Sequence, residues 1–194
     1  MTEKEVSEKP IRPFATAQVW RAWLEKNQAK PEGMWLRIYK KDSAKKTVTH
    51  LEALDEALCY GWIDGQRKAY DTESFLQKFT PRRSKSLWSK RNRENVMRLI
   101  KERRMTAAGL AEIDAAKKDG RWEQAYDAGS TMQVPADFLA ALKKDKKAYE
   151  FFKTLNKANT YAIAWRLQTA RKPETRMKRM EALLALMKEG RKLH

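Results

Sequence analysis

With 194 residues, 42% hydrophobic and 10% aromatic, the chain has the length of one domain, or of a main domain with a smaller helical one, and enough apolar side chain for a core. Seven Trp, six Tyr and six Phe exclude a disordered polyampholyte despite 35% charged residues, and no run approaches the roughly 18 consecutive apolar residues that span a bilayer. Residues 1–10 are polar without an apolar h-region, so no membrane association and a cytoplasmic location are expected.

The net charge of +17 is unevenly placed. Residues 1–77 hold 13 basic and 12 acidic groups, residues 78–104 hold 11 and 2, residues 105–142 hold 3 and 6, and residues 143–194 hold 15 and 5. Two basic blocks flanking an acidic one favour polyanions, unless Lys and Arg serve only as solubilising residues. Cys59 is the single cysteine, and His50 and His194 are the only histidines. This supports neither a disulfide, a zinc site nor a cofactor.

In chain order, Thr16 caps a helical pattern with Val19, Trp20, Trp23 and Leu24 on one face, ended by Pro31 and Gly33. Residues 34–40 (MWLRIYK) read as a strand and 41–46 as a solvated loop. Thr49 and Glu52 form a capping box, so a helix starts there, with Leu51, Leu54, Ala57 and Leu58 buried and Gly61 as its left-handed stop. Residues 62–70 and 74–79 read as an antiparallel hairpin turned at Asp71, Thr72 and Glu73.

Beyond Ser86 the period becomes helical, with Ser86 or Ser89 as cap and Val96, Leu99, Ile100 and Arg103 on one face. A second helix over 107–118 is capped by Thr106 and stopped at Gly120. Small polar residues make 127–134 the expected linker. Residues 135–194 read as helical, with faces formed by Phe138, Leu139 and Leu142, by Tyr149, Phe151, Phe152 and Leu155, and by Tyr161, Ala164, Trp165 and Gln168. A last face joins Met177, Met180, Leu183, Leu184 and Met187. The expected architecture is α+β: a small antiparallel sheet packed by helices over residues 1–126, the linker, and a helical C-terminal subdomain over 135–194.

Chemistry concentrates in residues 59–92. Asp64 lies between two glycines on a strand, its carboxylate expected to face Arg67, Arg82 or Arg83, either to fix strand geometry or to serve a site. Arg82, Arg83, Ser84 and Ser89 lead from strand to helix, where forked guanidiniums, hydroxyls and helix-terminal amides suit phosphate or carboxylate. Trp62 or Trp88 would wall such a site, although a Trp at a helix start also plugs cores, and Asn92 completes the candidate set. The basic surface of 78–104 suits a phosphate-bearing small molecule or nucleic acid through backbone contacts. No Gly-rich phosphate loop, hydrolase triad or nucleic-acid signature accompanies it, and Cys59 reads as a core thiol.

The segments 56–66 (EALCYGWIDGQ), 79–92 (FTPRRSKSLWSKRN) and 160–194 resemble the YdeI/OmpD-associated family, also labelled bacteriocin-protection proteins, found in bacteria. Its GWIDG-like, TPR…S.WS..N-like and ETR-like motifs fall on residues 61–65, on 80–92, and on Glu174, Thr175 and Arg176. Met105 and Gly109 match a further region, where Arg103 stands in place of a Gly. The family label implies a physiological association and no settled chemistry. An anion-binding module is the expected function. The alternatives are a small-molecule enzyme of unknown reaction and a stress-associated protein-interaction module.

Overall fold

The computed structural model describes residues 11–128 and 131–193. Residues 1–10, Gly129 and Ser130 of the expected linker, and His194 lie outside the described residues. In chain order the elements are β1 (Ile11–Arg12), α1 (Ala17–Asn27), β2 (Met34–Tyr39), α2 (His50–Cys59), β3 (Trp62–Ala69), β4 (Ser74–Pro81), α3 (Lys90–Lys101), α4 (Ala107–Lys118), α5 (Ala136–Leu142), α6 (Lys146–Lys153), α7 (Lys157–Gln168) and α8 (Pro173–Lys188). The α+β class and the helical C-terminal region are as expected. Two compact units form: the described residues of Met1–Ser86 with Asn92–Glu123, and Leu87–Arg91 with those of Gln124–His194.

In the first unit the strands run β1-β2-β4-β3. Pairing is antiparallel except at the edge, where β1 lies parallel to β2. The sheet is therefore mixed rather than purely antiparallel, because β1 and β2 are joined through α1, the crossover that parallel neighbours require. The hairpin closes at Asp71, whose Oδ1 accepts from the backbone N–H groups of Glu73 at 3.0 Å and Ser74 at 2.7 Å, a turn that an Asp side chain is short enough to make. β3 carries one extra residue between Asp64 and Arg67 relative to Phe79 and Gln77 on β4. The freed carbonyls are not lost to the interior: buried Gln77 donates Nε2 to Gly65 O at 3.0 Å and Gln66 O at 3.3 Å.

Strand alternation sorts the side chains. Met34, Leu36 and Ile38 of β2 are buried beside Phe79 of β4, and Trp35, Arg37 and Tyr39 point the other way and are part-exposed. Over the buried face lie Trp20 of α1 and Trp62 of β3, both fully enclosed. Their ring centroids are 6.3 Å apart, and Trp20 lies 5.7 Å from Phe79. Each such ring contributes roughly 4–6 kcal/mol of gross transfer free energy. Leu51, expected in the buried stripe of α2, is exposed, and that helix buries Ala53, Leu54, Glu56, Ala57, Leu58 and Cys59 instead.

The capping box at Thr49 and Glu52 forms as expected, and Gly61 ends α2 with φ +74°. Arg103 takes φ +56°, so the turn before α4 is kept without the glycine that the resembled pattern carries. Gly109 lets α4 lie directly on the end of α2: a Cβ there would sit 2.3 Å from Cys59 O and 2.8 Å from Leu58 O. Thr106 caps α4 and also donates Oγ1 to Cys59 O at 2.6 Å.

In the second unit Phe138, Leu142, Ala148, Ile163, Leu167, Leu183 and Met187 form one core. α7 turns Asn159, Ile163, Ala164 and Leu167 inward, so the face expected from Tyr161 and Trp165 is only partly buried. Met177 is exposed, while Leu183 and Met187 hold the inner side of α8. Arg176 of the ETR segment grips Asp137 of α5 with both guanidinium nitrogens, at 2.6 and 2.9 Å. Asp127 is fixed by Lys90 Nζ at 2.6 Å and by Gln168 Nε2 at 2.9 Å.

Replacing Gly109 by Ala raises helix propensity by up to about 1 kcal/mol. The added methyl meets backbone oxygens that cannot move aside, so urea unfolding of Gly109→Ala is expected to show a net loss of about 1–3 kcal/mol. A second expectation concerns acid. The hydrogen bond from Arg176 holds the Asp137 carboxyl below the ordinary aspartate value, and that from Lys90 does the same for Asp127. Groups depressed on folding add stability that is present above their unfolded pKa and lost as pH falls through the lowered one. Melting temperature should therefore drop below about pH 4, and Asp137→Asn should flatten that drop, by at most about 1 kcal/mol because the pair is largely solvated.

Candidate functional site

The residues singled out for an anion site have different surroundings and are divided between the two units. Trp62 is fully enclosed, with Nε1 donating to Gln28 O at 3.0 Å and its ring edge-on to Trp23 at 5.8 Å. Arg82 is buried, its backbone N–H donating to Gly61 O at 2.9 Å. It lines a small hollow of about 390 Å³ with Tyr60, Gly61 and Glu112. Burial raises the Glu112 carboxyl pKa there, against the opposing pull of Arg82 and Arg121. Arg83 and Ser84 are exposed, and Asn92 is buried. Trp88 and Ser89 belong to the second unit, where both are buried and Ser89 pairs with Tyr126 in a short parallel bridge.

Asp64 does not face an arginine. Its Oδ2 lies 3.2 Å from Nε2 of His50, at the first turn of α2, and Arg67 beyond the bulge sets its guanidinium 3.7 Å from the centre of the Phe75 ring. The basic helix is also less free than its composition suggests. Arg98 binds both oxygens of Asp55 at 2.7 Å, and Arg104 reaches Glu56 at 2.8 Å. Arg21 meets the other oxygen of Glu56 at 2.9 Å, so a buried carboxylate is held between two guanidiniums. Arg93 donates to Trp122 O at 2.7 Å. These cations neutralise α2 and anchor the segment that follows α4.

A cationic cleft appears where the sequence suggested only a solvated loop. A hollow of about 530 Å³ is lined by Lys40, Lys41, Lys45, Lys46, His50 and Arg67, among others, over the apolar surface of Ile38 and Phe75. The loop after β2 supplies the lysines, α2 supplies His50 and β3 supplies Arg67. Lys45 lies 3.6 Å from Glu73, and Lys40 donates to Thr72 O at 2.8 Å. Lys41, Lys46 and Arg67 have no carboxylate partner among the described residues. The capping box already occupies two amides of the α2 N-terminus, because Thr49 accepts from Glu52 N and Glu52 accepts from Thr49 N. The charged part of the grip comes from side chains. The readable signal was the paired spacing of Lys40, Lys41, Lys45 and Lys46 just ahead of a helix cap.

Nucleophilic and metal chemistry find little support in the described residues. Burial pushes the Cys59 thiol up to about 11, and the nearby Glu56 charge adds to the effect. No group of three or more His, Cys, Asp or Glu side chains is arranged to hold a metal ion among those residues. No described helix is long and apolar enough to cross a membrane.

Two families match the chain in separate stretches. Residues 12–112 match the family described as Domain of unknown function (DUF8412), and residues 131–190 match the one described as Bacteriocin-protection, YdeI or OmpD-Associated. The second match supports the resemblance seen in the C-terminal segment, whereas the segments 56–66 and 79–92 fall inside the first. No curated protein and no solved structure matches.

Proposed function

We propose that this chain, which belongs to the family of the domain of unknown function DUF8412, is a cytoplasmic anion-binding module that holds a phosphate-bearing small molecule in the cationic cleft of its first unit. The observation that carries the reading is the set of Lys41, Lys46 and Arg67 around one hollow without carboxylates to neutralise them. Like charges brought together raise the energy of the empty cleft, and a bound polyanion relieves that repulsion while the walls exclude part of the solvent screening.

Each side chain has a distinct part. Arg67, stacked on Phe75, presents its guanidinium edge as a two-pronged donor to phosphate oxygens. Lys41 and Lys46 act as point charges on long side-chain stems, and His50, oriented by Asp64, offers a ring nitrogen toward the same space. Ile38 and Phe75 form an apolar floor suited to a sugar or base, and a volume of about 530 Å³ lies within the usual range for small-ligand sites.

The test is a thermal-shift titration with a nucleoside diphosphate against the neutral nucleoside. Selective stabilisation by the diphosphate is expected, about 2.7 kcal/mol at a hundredfold excess over Kd. The Lys46→Ala/Arg67→Ala variant should weaken binding at least about tenfold, as befits the loss of two charge-assisted contacts. Lys101→Ala, on α3, should leave it unchanged. An equal loss in both variants, or no response to the diphosphate, refutes the cleft as the site.

A further inference from the structure

The face of the sheet opposite the tryptophan core is also unusual. Along β2, Trp35, Arg37 and Tyr39 alternate with buried neighbours and remain part-exposed. The register places Lys78 beside Trp35, Leu76 beside Arg37, and Lys68 on the far side of Leu76, so strand pairing brings cations and rings onto one surface. Tyr70, just past β3, is half exposed and completes it.

The rings and cations interleave. Arg37 lies 4.7 Å from the centre of Tyr39 and 5.0 Å from that of Tyr70, and is held by hydrogen bonds to Ser74 Oγ and Asp71. It is a fixed wedge between two rings. Lys68 Nζ is 5.1 Å and Lys78 Nζ 5.9 Å from the Trp35 ring. Trp35 to Tyr39 spans about 13 Å along the strand, a length over which exposed aromatics of a sheet stack two or three bases.

We infer that this face binds single-stranded nucleic acid, with Trp35 and Tyr70 stacking on bases and Lys68 and Lys78 meeting the flanking phosphates. Charge complementarity selects a polyanion, since among the described residues Asp71 is spent on Arg37 and Lys68 meets the Trp35 ring rather than a carboxylate. The rings select the kind of polyanion. An acidic protein surface needs cations without exposed aromatic faces, and a duplex keeps its base faces buried, whereas a single strand offers both phosphate and open π surface. An exposed cation–π contact is weaker than a base stacked on a ring, so an incoming base displaces Lys68 toward the adjoining phosphate. Tyr39 borders both this face and the cleft proposed above, but Trp35 and Tyr70, which carry this inference, do not line that cleft.

The experiment is fluorescence anisotropy of the full chain with a short labelled oligouridine at physiological ionic strength. Tyr70→Ala removes an exposed ring and no charge, and should weaken binding roughly 5- to 100-fold without altering the melting temperature. Trp35→Ala should weaken binding by a similar factor, and Tyr70→Phe, which keeps the ring, should bind within about twofold of the parent. Binding by the alanine variants equal to that of the parent overturns the inference. So does a Tyr70→Phe loss as large as that of Tyr70→Ala, or competition by a duplex or by polyglutamate as effective as that by unlabelled oligouridine.

Discussion

The first unit depends on two indoles that must be both buried and hydrogen-bonded. Trp20 donates Nε1 to Ala53 O and Trp62 donates Nε1 to Gln28 O, each at 3.0 Å. A buried N–H left without a partner forfeits its solvation, so each ring settles in a single orientation that ties its element to another backbone. Trp20 thereby fixes α1 against α2, and Trp62 fixes the start of β3 against the end of α1. Once that side of the sheet is full, strand geometry sends every alternate side chain to the other side. The open aromatic face is a consequence of how the closed one is filled.

The same sorting governs charge. An overall excess of cations says little about where a ligand binds, because a guanidinium that already holds a carboxylate has spent most of its field locally. Arg21, Arg98 and Arg104 are of this kind, gathered around Asp55, Glu56 and Glu102. Lys41 and Lys46, after β2, are not. Their loop leaves the sheet over an apolar floor, and the acidic residues of α2 are committed elsewhere. Only the charge left over once these structural pairs are formed is available to an incoming anion.

Local signals in the sequence survived folding well. Thr49 with Glu52, Gly61, Thr106 and the Asp71 turn all act within a few residues of backbone, and each forms as its chemistry demands. Side-chain partnerships at longer range did not show through. Charge and proximity in sequence favour nearby arginines for Asp64, but the bulge intervenes before Arg67, while α2 delivers His50 from fourteen positions earlier. The inner face of α7 likewise differs from the one its aromatics suggest. The space left by α5, α6 and α8 suits Ile163 and Leu167, and Trp165 stays at the edge beside Tyr126. The cleft combines a loop, a helix and a strand, a conjunction that no local pattern encodes.

Cys59 gives the first unit an intrinsic reporter. The thiol is fully buried at the end of α2, whose last carbonyls lie against Gly109 of α4, and burial keeps it protonated at physiological pH, so a disulfide or alkylating reagent meets neither an accessible sulfur nor a thiolate while that end stays packed. Modification is gated by opening of that junction. With no second cysteine to complicate the trace, the labelling rate of the unaltered chain measures how often, and at what free energy, the contact around Gly109 parts.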